Sequence, residues 1–134
     1  MSKNMSDLRI IVLEDEFLVG HALARSLQEA SAKKVVVTES IAEANKTLSG
    51  ELFDVAILDI RLGDGESWEL AEELEAKGTP LVIHSGNLDT VEQARLPGAI
   101  MVEKPATKEQ LVTAVLNAHK ATDPFFDRPP KTIH

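Results

Sequence analysis

Short β-branched and aliphatic runs alternate along this chain with longer stretches whose apolar positions recur at helical spacing. Leu8 to Glu14 is the first such run, and from Phe17 to Ala30 the residues Val19, Leu23, Leu27 and Ala30 share one face of a predicted helix. Gly20 inside that helix costs about 1 kcal/mol relative to alanine, so it marks a close approach to the sheet. Lys34 to Thr38 reads as a second strand. Ser40 and Glu43 have capping-box spacing and open a second helix, expected to end near Ser49 and Gly50 with the glycine left-handed. Phe53 to Asp59 is the third strand. Past a turn at Gly63-Asp64-Gly65, the residues Trp68, Ala71 and Leu74 line a third helix closed by Gly78. Pro80 to His84 and Ala99 to Val102 are the fourth and fifth strands. Thr107 and Gln110 form another capping box before a last helix that turns Leu111, Val115 and Ala118 inward.

Strands that alternate with helices pair in parallel through right-handed crossovers, which predicts an α/β three-layer sandwich. In such sheets, sites form beyond the carboxyl ends of the strands. Glu14 and Asp15 close the first strand, Asp59 the third, while Ser85 follows the fourth and Lys104 the fifth. The topology therefore directs all of them into one crevice. Carboxylates gathered at strand ends need a counter-ion, and hard oxygen ligands suit Mg²⁺, so a metal-assisted phosphoryl site is the first chemical expectation.

Composition narrows the field. A chain of 134 residues makes one domain large enough to bury a core, and few aromatics make that core aliphatic. With 14 Lys and Arg against 22 Asp and Glu the net charge is −8, which argues against direct binding to nucleic acid or an anionic membrane. The absence of cysteine rules out disulfides and thiolate metal sites. No apolar run reaches the roughly 20 residues of a membrane span and the start lacks a secretory segment, so a cytoplasmic location is expected.

Taken singly, each feature has a plainer reading. The acids at 14 to 16 are favourable at a helix N-terminus, Asp59 suits a turn, and Ser85-Gly86 or Lys104-Pro105 alone is generic. Together and in order, Val12-Leu13-Glu14-Asp15-Glu16, Asp54 to Asp59 with Gly63-Asp64-Gly65, His84-Ser85-Gly86 and Glu103-Lys104-Pro105 resemble the receiver domain of bacterial two-component response regulators. The resemblance spans about Leu8 to Ala121, so residues 1–121 are expected to be the receiver and 122–134 a tail without an output domain.

The resemblance implies a flavodoxin-like, five-stranded parallel sheet of order 2-1-3-4-5. It makes Asp59 the phosphoacceptor for a histidine kinase or histidine phosphotransfer protein, in a single-domain response regulator that catalyses its own phosphotransfer and slow autodephosphorylation. Asp15, Asp59 and the backbone carbonyl of Arg61 are the implied Mg²⁺ ligands, with Glu14 acting through a metal-bound water from one residue further off the crevice floor. Lys104 opposes charge on the phosphoryl oxygens and Ser85 bonds one of them after transfer. Arg61 and Asn87 match positions that tune the lifetime of the phosphorylated state. A cis bond is expected at Lys104-Pro105.

Departures from the family pattern also carry expectations. Met101 stands where receivers commonly place Tyr or Phe, so the aromatic switch is absent or modified. Only Leu88 to Arg95 is left for a fourth helix, which is expected to be short or irregular. Output is expected at a surface formed by the fourth-helix region, the fifth strand and the last helix, with Met101, Leu111 and Val115 on it. It would act through an unknown downstream protein or a phosphorylation-dependent homodimer, a monomer being equally compatible. Phe125 and Phe126 are expected to pack back on the domain or dock a partner.

His21 is expected at the surface or half-buried, and His84 to point away from the crevice by strand alternation and pack under a helix. Trp68 is expected in the core of the third helix. Two rival functions remain. One is a receiver-like adaptor that works without phosphorylation. The other is an aspartate-nucleophile phosphohydrolase, disfavoured because Arg61 occupies the place of its second carboxylate. A nucleotide-binding flavodoxin-like protein would need a glycine-rich loop where this chain has acids.

Overall fold

The computed structural model describes residues 4–86, 94–121 and 132–133. Its strands are β1 (Arg9–Leu13), β2 (Lys34–Thr38), β3 (Val55–Leu58), β4 (Arg61–Leu62), β5 (Gly65–Glu66), β6 (Leu81–Ser85), β7 (Ile100–Glu103) and β8 (Thr132–Ile133). Its helices are α1 (Phe17–Glu29), α2 (Ile41–Gly50), α3 (Trp68–Ala76) and α4 (Lys108–Lys120). A short 3-10 turn, Met5–Asp7, precedes β1.

The main sheet runs β2-β1-β3-β6-β7-β8 and is parallel at every step. Its first five strands have the order expected by resemblance. The sixth is a correction: Thr132–Ile133, assigned to a tail, returns beside β7 with Met101 opposite Thr132 and Val102 opposite Ile133. Periodicity could not reveal it, because two residues give no period to read.

Strand alternation sorts the core into two layers. Ile10, Val12, Val55, Ile57, Val82, Ile100 and Val102 face α1 and α4, where they meet Leu23, Leu27, Leu111 and Val115. Their neighbours Ile11, Leu13, Ala56, Leu58, Leu81, Ile83 and Met101 face the other way, against Ala44, Leu70, Ala71 and Leu74 of α2 and α3. Strands covered on both faces read as unbroken apolar runs, which is why β1 and β3 were legible.

Met101, Leu111 and Val115 are each within 1% of complete burial, so they cannot form part of an output surface. The same inward periodicity that makes them good core residues removes them from contact with a partner. The fourth-helix expectation falls mostly outside the described residues; of Leu88 to Arg95 only Ala94 and Arg95 are described, and both are helical. Trp68 is only partly buried, packed on the second layer with the Arg95 guanidinium 4.1 Å from its ring centre.

Helix ends follow side-chain chemistry with one correction. Gly50 has no positive φ; α2 instead ends into an extended Glu51. Gly65 (φ 134°) has its positive φ in the β4-β5 hairpin, while the left-handed helix ends are at Ser31 (φ 71°) and Gly78 (φ 83°). Each closes a helix by a paired return: Ser31 to Gln28 and Ala32 to Leu27 after α1, and Gly78 to Glu75 and Thr79 to Leu74 after α3. Thr107 and Gln110 complete their capping box, whereas Ser40 caps Glu43 without the reciprocal bond. The Glu43 carboxylate instead accepts the Glu39 N–H at 3.3 Å, and a further free helix-end donor, the Ile41 N–H, goes to the Asp64 carboxylate at 3.1 Å. Asp64→Ala is therefore expected to cost about 1 kcal/mol in chemical denaturation, typical of a lost N-terminal cap, and an unchanged midpoint would show that Ser40 alone suffices.

Candidate functional site

The crevice is built where β1 and β3 end side by side. The Asp59 N–H donates to the Leu13 carbonyl at 2.9 Å, and the Glu14 N–H donates to the Thr38 carbonyl at 3.0 Å. Two buried hydroxyls lock these ends. Thr38 Oγ1 donates to the Val12 carbonyl at 2.8 Å and Ser67 Oγ donates to the Asp59 carbonyl at 2.7 Å. Sequence reading missed both. Thr38 carried no signal beyond closing a β-branched run, and Ser67 stands just before α3, where its side chain makes no cap.

One carboxylate oxygen from each of Glu14, Asp15 and Asp59 lies within 4.8 Å of the others. Lys104 Nζ bridges two of them, at 2.7 Å from Glu14 Oε1 and 2.7 Å from Asp59 Oδ2. Three carboxylates against one ammonium leave about two negative charges in a small volume. The hard oxygen donors and the charge deficit both match a small divalent cation such as Mg²⁺, so the residues present fit that ion.

The three acids are not equivalent. Glu14 was expected further from the crevice floor, yet it is 1% exposed while Asp15 is open to solvent. Strand alternation turns Glu14 under α1, and Gly20 makes the room: a Cβ there would stand 3.6 Å from Glu14 Cβ and 3.1 Å from Val37 Cγ1. The close approach inferred at Gly20 is thus to an acid of the site as well as to β2. Asp15 reaches the other way, accepting the Gly63 N–H at 2.9 Å and tying the β4-β5 hairpin to the site.

Burial raises the pKa of Glu14, more than the Lys104 hydrogen bond and charge lower it. Lys104 is also buried enough to oppose its charge, but hydrogen bonds from its ammonium to Asp59 and Glu14 outweigh that and raise its pKa. The two directions are consistent physically. Lys104 has two anions for one cation, whereas Glu14 shares its cation with Asp59.

Ser85 ends β6 almost fully buried, and its carbonyl accepts the Lys104 N–H at 2.8 Å, holding the ends of β6 and β7 together. Lys104-Pro105 is cis. Arg61 is exposed on the hairpin that follows Asp59. Asn87 lies outside the described residues, as do Phe125 and Phe126. His21 is exposed and stacked on Phe17, its Nδ1 3.0 Å from the Phe17 carbonyl. His84 is buried as expected, yet it is not remote from the chemistry. Burial, then the Lys104 charge, lower its pKa to about 4, with Asp59 pulling weakly the other way.

Comparison with known proteins gives a consistent picture. Residues 10–116 match the family model described as the response regulator receiver domain. The regulatory protein VirG of Rhizobium rhizogenes is 31% identical over 86 residues, 63% of this chain and 34% of that protein. The acid tolerance regulatory protein ActR of Sinorhizobium medicae (strain WSM419) is 27% identical over 115 residues, 82% of this chain. The chain spans 59% of ActR's length, so both curated relatives are longer than the part it matches. Among solved structures, a response regulator receiver protein from Sinorhizobium medicae WSM419 has a TM-score of 0.77 at 28% identity, covering 87% of this chain and 98% of its own. A CheY-like receiver from Methanospirillum hungatei JF-1 reaches 0.78 at 19% identity, covering 87% and 97%, and shows the shared fold.

Proposed function

The chain belongs to the response regulator receiver domain family of two-component signalling, and from that premise we propose that it takes a phosphoryl group on Asp59 from a phosphohistidine donor in a Mg²⁺-dependent step. The observation that carries the reading is Lys104 Nζ at 2.7 Å from Asp59 Oδ2, in a pocket where Glu14 and Asp15 converge with Asp59. An acceptor carboxylate needs a fixed cation for the incoming phosphoryl oxygens and a second one to offset the surrounding acids.

In this reading an Asp59 carboxylate oxygen forms a bond to phosphorus while the donor's nitrogen–phosphorus bond breaks and its electron pair returns to the imidazole. Lys104 holds the acceptor in place beforehand and then pairs with the phosphoryl oxygens. Asp15, Asp59 and the Arg61 carbonyl are the residues that would hold Mg²⁺, with Glu14 completing the acid set, and the bound ion would neutralise charge on the transferring group. Ser85, at the end of β6, supplies the hydroxyl that takes a phosphoryl oxygen after transfer. Arg61, two after Asp59 in the sequence, and Asn87, two after Ser85, are assigned the tuning of the lifetime of the phosphorylated state. Phe17 and Leu18, 60% and 79% exposed at the start of α1, offer an apolar landing for a kinase or phosphotransfer protein beside the acids.

Intact mass after incubation with Mg²⁺ and acetyl phosphate tests this directly. A single phosphoryl adduct is expected, lost with EDTA and lost in Asp59→Asn. Mg²⁺ binding without an adduct, from either acetyl phosphate or a phosphorylated histidine donor, would overturn the acceptor role and favour an adaptor that works without phosphorylation.

A further inference from the structure

The returning strand β8 changes the edge of the sheet. Without it β7 would be the outer strand, offering the unpaired backbone groups of Met101 to Glu103 to any extended chain. The cover is slight. β7 is paired to β6 over four residue pairs, from Val82 and Ile100 to Ser85 and Glu103, but to β8 over two. Ile133 adds an apolar contact to the layer containing Val102, yet both residues of β8 stay half-buried, whereas Ile100, Met101 and Val102 are buried.

The edge under β8 is also self-complementary. A second copy related by a two-fold axis would bring its β7 alongside in antiparallel sense. Centred on Met101, that pairing sets Ile100 of one copy opposite Val102 of the other and Glu103 opposite Ala99, so side chains of one face meet the same face and no like charges oppose each other. Three neighbouring apolar residues of high strand propensity or adaptable shape, Ile100, Met101 and Val102, then continue the sheet across the junction.

We propose that β8 guards this edge: Thr132–Ile133 occupies in cis the strand edge through which a second copy of the chain pairs, so that tail docking and β7-to-β7 association exclude one another. The guard is independent of phosphoryl chemistry at Asp59, and its test needs none. It assigns the β7 edge as an interaction surface whose partner is another copy of this chain, with release of the tail as the condition for assembly.

The experiment compares the full chain with Ile133→Asp and with a variant lacking residues 132–134, by sedimentation velocity over a range of concentrations and by amide hydrogen exchange at Met101 to Glu103. The full chain is expected to sediment as a 14.6 kDa monomer with these amides protected. Both variants are expected to shift towards twice that mass with protection retained, and an excess of a synthetic peptide covering residues 128–134 is expected to return them to monomer. Circular dichroism checks that each variant is folded. Variants that remain monomeric with fast-exchanging β7 amides would overturn the proposal. So would a full chain that dimerises with the tail docked, a dimer whose β7 amides exchange freely, or a dimer that ignores the peptide.

Discussion

Replacing Lys104 by methionine is expected to slow phosphoryl acceptance at Asp59 by about 10²–10³-fold, the usual consequence of removing one fixed donor to a developing anion. The same change is expected to destabilise the fold by roughly 3 kcal/mol near pH 7, as for a buried ion pair that loses one partner. The reason is local. Lys104 is the cation 2.7 Å from both Glu14 and Asp59, and Glu14 is almost wholly buried. Methionine keeps the packing of the stem and removes only the ammonium.

The pH dependence of that loss follows from Glu14. Burial already holds its folded pKa above the ordinary value, and Lys104 is what limits the rise. With Lys104 gone the folded state takes up a proton at higher pH than the unfolded chain does. Stability contributed by a raised carboxylate grows as pH falls, so Lys104→Met is expected to recover part of its loss when denaturation is repeated near pH 5. Mg²⁺ is expected to recover part of it near pH 7, since a cation at the acids replaces the missing charge. A variant as stable as the parent at both pH values would show that the three carboxylates need no internal counter-ion.

The second large effect belongs to His84. Its ring is 2% exposed, and neither nitrogen has a hydrogen-bond partner among the described residues. Burial and then the Lys104 charge hold its pKa at about 4, against 6.5 when unperturbed. The unfolded chain binds the proton first as pH falls, so folded-state stability is lost from about pH 6.5 downward until the folded ring also protonates. The loss attributable to this residue is about 2 kcal/mol near pH 5 and approaches 3 kcal/mol near pH 4. His84→Leu is expected to flatten that slope and, by removing two unsatisfied polar atoms at similar volume, to match or exceed the parent's stability near pH 7. Denaturant midpoints measured from about pH 7 to pH 4.5 decide it, and parallel curves for the two proteins would mean that His84 does not titrate on unfolding.

These expectations rest on features of unequal legibility. Apolar runs ending in acids located β1, β3 and the crevice, because a doubly covered strand has only its ends for charge. Helix starts at Ser40 and Thr107 were readable from side chains that bond backbone three residues on. The burial of His84 on the face away from the crevice followed from the period of two. Less was readable wherever the partner is distant in sequence. Nothing local says that Asp64 caps a helix that begins 23 residues earlier, or that Ser67 fastens the carbonyl of Asp59.

Glu14 and Asp15 make the division plain. Adjacent acids at a strand end announced a cation site, since residue type and order alone dictate where negative charge collects. Which of them is sealed beneath α1 with Lys104, and which reaches the hairpin at Gly63, depended on the approach of Gly20 to β1 and β2. In the same way, the run Ile100 to Glu103 declared a strand, but its standing as an inner strand came from Thr132–Ile133 lying against it. Period, charge and capping act between near neighbours and so are written along the chain. Burial, pKa and edge pairing arise between segments far apart in sequence, and only packing brings those together.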